Sequence, residues 1–126
     1  TRNSVDETIE IISEFKKQNL RGVFHCFVGN FIQAKKIIDL EFLIGVGGIL
    51  TFKNSNLKNI ISQINLNNII LETDSPYLSP EPKRGKRNEP LNINLIAKKL
   101  SILHSLPLKN IIKITSNNVN NLFKLN

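Results

Sequence analysis

The sequence lacks the features that would place it in a membrane or in an oxidising compartment. Its 126 residues contain one cysteine, Cys26. A lone cysteine excludes an internal disulfide framework and fits a reducing, cytoplasmic setting. No apolar run approaches the ~20 residues of a membrane span, and no charged-then-apolar leader opens the chain. Repeats, linkers and low-complexity segments are also missing. Methionine is absent, and the chain opens on Thr1 only one loop before a predicted helix, so we expect that something upstream has been removed.

What is present is a soluble, globular composition, 40% hydrophobic and 21% charged, long enough for one compact unit with a core. The net charge of +7 points to an anionic partner, with nucleic acid the usual one. The lysines are scattered, however, and the joint excess of Ile, Asn and Lys reads as the mark of an AT-rich genome rather than a surface built for charge.

Hydrophobic spacing orders the chain as helix, strand, helix, strand, helix, strand and terminal helices. Ser4 and Glu7 have the spacing of a capping box, so a helix is predicted from Val5, with Val5, Ile9, Ile12 and Phe15 inward and fraying near Asn19. Arg21 to Phe27 reads as a strand with Val23, His25 and Phe27 on one face. A histidine there is a hydrogen-bonded core residue or a ligand at the strand's C-terminal end. A helix from Phe31 to Leu40 follows, with Phe31, Ala34, Ile37 and Ile38 inward. Phe42 to Leu50 is the next strand. Its glycines permit close backbone approach, but Gly45-x-Gly47-Gly48 matches neither the dinucleotide fingerprint nor a P-loop. A further helix carries Leu57, Ile60, Ile61 and Ile64.

The third strand, Ile69 to Leu71, runs straight into Glu72 and Asp74 before Pro76 stops it. Alternation puts Ile70, Glu72 and Asp74 on one face. Two such acids reach solvent, or else they are paired, hydrogen-bonded or bound to a cation. Next comes an irregular loop, Ser79 to Pro90, in which Lys83, Arg84, Lys86 and Arg87 cluster; it is a solvated loop or a phosphate contact. Pro90 starts a helix to about His104, which reads as a surface residue. Two short helices are predicted to close the chain, one after Pro107 and one capped by Thr115 or Ser116 that packs Val119, Leu122 and Phe123. The alternation gives an α/β class with parallel strands, and three strands alone leave two unpaired edges, as in a piece of a larger domain.

Four stretches carry a resemblance: Gly22-Val23-Phe24-His25-Cys26-Phe27-x-Gly29, Gly47 to Asn54, Leu71 to Leu78, and Arg84 to Pro90. In order and spacing they resemble the C-terminal half of TatD-type metal-dependent hydrolases, the TatD deoxyribonucleases. Thr1 to Asp6 also fits the family's His-x-Arg motif with its histidine missing by one position. The resemblance implies a TIM-like (β/α)8 barrel, of which residues 1–126 would be the C-terminal portion of a single domain, with its last three strands and their helices. It implies one to three divalent cations (Mg, Mn or Zn), with His25 and Asp74 as metal ligands at strand C-termini and the other ligands absent from this chain. Asp74 would also accept a proton, and Glu72 would support the ligands from behind. Arg2, Arg84, Lys86 and Arg87 are phosphate-contact candidates on chemistry alone. The implied activity is metal-assisted phosphodiester hydrolysis, as a 3′-to-5′ deoxyribonuclease acting on DNA. The other reading is an inert remnant or a nucleic-acid-binding module, and no turnover is expected from this chain alone.

Overall fold

Three β-branched runs form three short strands, which lie side by side in the computed structural model; it describes residues 4–125. They are β1 (Val23–Phe24), β2 (Leu43–Val46) and β3 (Ile69–Leu71). All pair in parallel in the order β1-β2-β3, with Phe24 opposite Ile44 and Val46 opposite Leu71. Parallel neighbours need crossover connections. Helix α2 (Phe31–Asp39) joins β1 to β2, and a turn of 3-10 helix at Gly48–Thr51 followed by α3 (Leu57–Ile61) leads toward β3. Helix α1 (Val5–Glu14) comes before the sheet; α4 (Ile93–His104) and α5 (Leu108–Phe123) come after it.

The core gathers residues from every layer. Ile44, Val46 and Ile69 of the sheet are fully buried against Ala34 and Ile37 of α2, Ile61 of α3, Ile96 and Leu100 of α4, and Ile111 of α5. Each such aliphatic side chain contributes about 1.5–3 kcal/mol by leaving water. At the N-terminal end of β3, Asn118 of α5 donates from Nδ2 to the Leu66 and Ile69 carbonyls at 2.8 and 2.7 Å. That pair of bonds fixes α5 to the start of the strand.

Several local expectations need correction. Ser4 makes no side-chain cap; its carbonyl instead accepts from the Thr8 amide and hydroxyl. The capping box occurs at α2, where Asn30 and Gln33 exchange bonds of 2.9 Å, so the motif was present with Asn and Gln in place of Ser and Glu. Helix α1 stops at Glu14, and a 3-10 turn carries the chain to a left-handed Asn19. The first strand ends at Phe24: Cys26 adopts φ +48, which breaks the alternation expected through Phe27. The closing segment is one helix, because neither glycine nor proline interrupts it. Thr115 bonds back to the Ile111 carbonyl at 2.9 Å rather than capping a new start. Phe31 and Phe123 remain exposed on their helices. His104 is half-buried rather than on the surface, and its Nε2 donates to the Ile61 carbonyl at 3.1 Å.

Candidate metal centre

Parallel strands deliver all their C-terminal ends to one edge of the sheet, and the chemically active side chains collect there. His25 follows β1, Gly47 and Gly48 follow β2, and Glu72 and Asp74 follow β3. The imidazole of His25 is held between the two acids. Its Nδ1 lies 2.8 Å from Glu72 Oε2, and its Nε2 lies 2.8 Å from Asp74 Oδ1. The predicted pair, His25 and Asp74, is therefore brought together across the sheet, with Glu72 behind it. Glu72 Oε1 also accepts the Cys26 backbone N–H, an orientation that the left-handed turn at Cys26 makes possible.

Glycine makes room for both acids. A Cβ at Gly45 would fall 2.5 Å from Glu72 Oε2, and one at Gly47 would fall 3.3 Å from Asp74 Oδ2. Asp74 Oδ2 is buried and has no hydrogen-bond partner among the described residues. An ionised oxygen left so is costly, on the order of 1–3 kcal/mol or more, unless a cation or donor faces it.

Both ring nitrogens of His25 face carboxylate oxygens, so only the protonated ring donates at both ends. Burial acts to lower the His25 pKa, but the hydrogen bond and charge of Glu72, then those of Asp74, outweigh it and the net direction is up. Burial raises the pKa of Glu72; the Cys26 amide and His25 act against it, and the nearby Asp74 charge adds to it. Two carboxylates converge on one imidazole, an arrangement whose negative charge a proton on the ring or a cation would relieve.

The donor set fits a divalent cation. Imidazole nitrogen and carboxylate oxygen are ordinary ligands of Zn, Mn or Mg, and atoms 2.8 Å apart can share one ion with bonds of about 2.0–2.2 Å. Asp74 Oδ2 offers a further lone pair that no donor among the described residues uses. Among the described residues no group of three or more His, Cys, Asp or Glu side chains is arranged to hold a metal ion by itself. Within the described residues His25 and Asp74 supply two donors of that kind.

A cavity of about 450 Å³ opens beside this pair, lined by His25, Cys26, Val28, Ile49, Asp74, Tyr77 and Leu78. Tyr77 is 74% exposed at its rim, a position that sequence reasoning passed over. Of the described basic candidates, none lines it. Arg84 lays its guanidinium over the Phe52 ring, 3.6 Å from the centroid, and Arg87 is exposed on the same loop. Arg2 lies outside the described residues. Sequence reasoning also missed Asn88, which is 2% exposed and bonded to the backbone just beyond Asp74. Its only signal was an amide side chain amid charged neighbours, immediately before Glu89-Pro90.

Residues 1–124 match the family described as TatD related DNase. An uncharacterized metal-dependent hydrolase of Buchnera aphidicola subsp. Acyrthosiphon pisum is 44% identical over 126 residues, covering 99% of this chain and 48% of that protein. A Vairimorpha ceranae protein named as a deoxyribonuclease homolog is 30% identical over 131 residues, covering 94% of this chain and 49% of its own length. Among solved structures, a TatD homolog from Escherichia coli K12 superposes with a TM-score of 0.91 at 27% identity, over 98% of this chain and 48% of that one. The chain spans about half the length of the curated relatives it matches.

Proposed function

The chain belongs to the TatD-related DNase family, and on that footing we propose that the protein it forms part of is a divalent-cation-dependent hydrolase that cleaves phosphodiesters, with DNA as substrate and 3′-to-5′ exonuclease action. One observation carries the reading: the buried, unpartnered Asp74 Oδ2 beside His25 Nε2, at the mouth of parallel strands. An acceptor with no donor, next to an imidazole, is what a cation ligand looks like when only protein atoms are counted. The name of the Vairimorpha relative favours DNA among phosphodiesters.

A divalent cation, when bound, supplies Lewis acidity and lowers the pKa of its water toward neutrality. The chain's own residues do the rest. His25 and Asp74 would hold the ion, and Asp74 would accept the proton of the attacking water. Glu72 keeps the His25 ring in place through Nδ1, leaving Nε2 turned toward Asp74. Val28 and Ile49 give the cavity an apolar wall that limits water beside the reacting group. Arg87 and Lys86, exposed on the loop from Lys83 to Asn88 and outside the cavity lining, would meet the backbone of a long polyanion.

The same reading makes the sheet the last three strands of a TIM-like (β/α)8 barrel. Both β1 and β3 are edge strands. An apolar groove of about 290 Å³ runs beside β3, lined by Leu71, Ile93, Ala97 and Ile112, as an uncovered barrel flank would be. No helix among the described residues is long and apolar enough to cross a membrane. A cytoplasmic setting belongs to the proposal on the single cysteine alone. With only two of the ligands, the isolated chain would turn nothing over, and for it alone the second reading, an inert remnant or a nucleic-acid-binding module, stands.

The test is cation-dependent exonuclease activity of the whole protein on labelled DNA, with Asp74→Asn beside it. A fall in kcat of about 10²–10⁴-fold is expected from losing the proton acceptor. Unchanged activity in that variant would sink the assignment.

A further inference from the structure

Asp74 lies on a stretch with no strand partner beyond Glu72, yet its Oδ2 must be kept in one place to serve as a ligand. The loop that follows is awkward. Leu78 is left-handed, at φ +52, and its carbonyl oxygen packs so tightly on Gly48 that a Cβ there would collide with it. Something must hold the loop in this path, and one buried side chain does.

Asn88 uses both ends of its amide and its backbone. Its N–H donates to the Pro76 carbonyl at 2.9 Å, and its Nδ2 donates to the Tyr77 carbonyl at 2.7 Å. Its Oδ1 accepts from the Glu89 amide at 2.9 Å and from Asn92 Nδ2 at 2.8 Å. Asn92 is 2% exposed and in turn accepts from Lys83 Nζ at 2.9 Å. At the other end of the loop the Tyr77 amide donates to the Asp74 carbonyl at 2.8 Å. A chain of bonds thus runs from Asn92 through Asn88 and Tyr77 to the backbone of Asp74.

We propose that Asn88 is a positioning residue for the cation site, holding the Pro76–Tyr77 peptides so that the Asp74 carboxylate stays aimed at His25. It touches neither ligand; it acts through the Tyr77 turn. The inference rests on the cation reading above, and its test separates the two. Buried partners of this kind cost about 10–100-fold in metal affinity or activity when removed.

The whole protein is compared with Asn88→Ala, Asn88→Asp and Asn118→Ala, the last removing another buried, hydrogen-bonded asparagine at the opposite end of β3. Mn²⁺ binding by calorimetry, kcat and KM on DNA, and exchange of the Tyr77 amide are measured. Both Asn88 variants are expected to bind Mn²⁺ about 10–100-fold more weakly, to lose kcat more than KM, and to exchange the Tyr77 amide faster. Asn118→Ala should lose stability and change none of the three. Asn88 variants that, once folded, bind Mn²⁺ and turn over like the parent overturn the proposal, as does a Tyr77 amide still fully protected. Should Asn88→Ala not fold, Asn92→Ala removes one partner of Oδ1 and carries the same test, with a smaller loss expected and no loss contradicting it. A parent protein that binds no Mn²⁺ defeats the cation reading, whereas Tyr77 exchange still decides whether Asn88 holds the loop.

Discussion

The two ends of the sheet are built on opposite plans. At the N-terminal end of β3, Asn118 meets two carbonyls within one helix–strand contact, and its surroundings are regular structure. At the C-terminal end, regular structure stops before the chemistry, at Phe24 and at Leu71. Cys26 and Leu78 are left-handed, Gly45 and Gly48 make room for neighbours that no side chain would tolerate, and an acceptor is left unpartnered. One end is fully satisfied and serves stability. The other keeps a loop pressed against Gly48 and a carboxylate oxygen without a partner among the described residues, and such features persist only where the surrounding structure over-determines them. The difference shows where the protein departs from its own rules, and the candidate site lies there.

That contrast can be broken most sharply at Gly48. In Gly48→Ala the new methyl must displace the Leu78 carbonyl, so the loop carrying Asp74 has to move. We expect a loss of about 1–3 kcal/mol from overpacking together with weaker cation binding, read by urea unfolding and by Mn²⁺ titration of the same sample. Preserved cation affinity would show that the loop is not held as described.

Asn118→Ala should give the opposite pattern. Two buried carbonyls lose their donor, costing about 1–3 kcal/mol. The urea midpoint should fall while cation affinity does not change. A loss of affinity as large as that from Gly48→Ala would erase the distinction between the two ends.

The smallest effect is a titration. With no cation present, the carboxylates raise the pKa of His25 above the usual value of about 6.5. The stabilisation from its protonated form is therefore complete below the unfolded value and is lost as pH rises through the raised folded value. A cation competes with the proton for Nε2, so cation affinity should grow over that same rise in pH. Proton NMR of His25 should show a midpoint above the ordinary value that falls on adding Zn²⁺. A midpoint at or below the ordinary value in the cation-free protein would mean that the ring is not paired as found.

Much of this organisation was legible in the residues. Periodicity placed α2 and α4 and ordered the strands, because Ala34 with Ile37 and Ile96 with Leu100 fall on one face at helical spacing. His25 and Asp74 could be read at strand C-termini, where parallel topology puts both on one edge, but it was the family resemblance, not the spacing, that implied their role as ligands. Alternation misled at His25, since it assumes a strand that continues, and the turn at Cys26 is a backbone choice that no side chain announces. Thr115 was read as a cap because threonine favours caps, yet inside an uninterrupted helix it bonds to the preceding turn. Asn88 went unseen for another reason. Its neighbours Lys86 and Arg87 are charged and exposed, so local composition described a solvated loop, whereas its burial depends on Pro76 and Tyr77 arriving from earlier in the chain. Local patterns report local structure, and this bond is not local.

The central claim is that His25 and Asp74 together hold a divalent cation. Calorimetric titration of Mn²⁺ into the whole protein, with Asp74→Asn alongside, tests it most directly. The variant keeps the shape of the side chain but removes the charge and replaces an acceptor with an amide. The account predicts saturable binding by the parent and at least about tenfold weaker binding by the variant; equal binding by the two would contradict it.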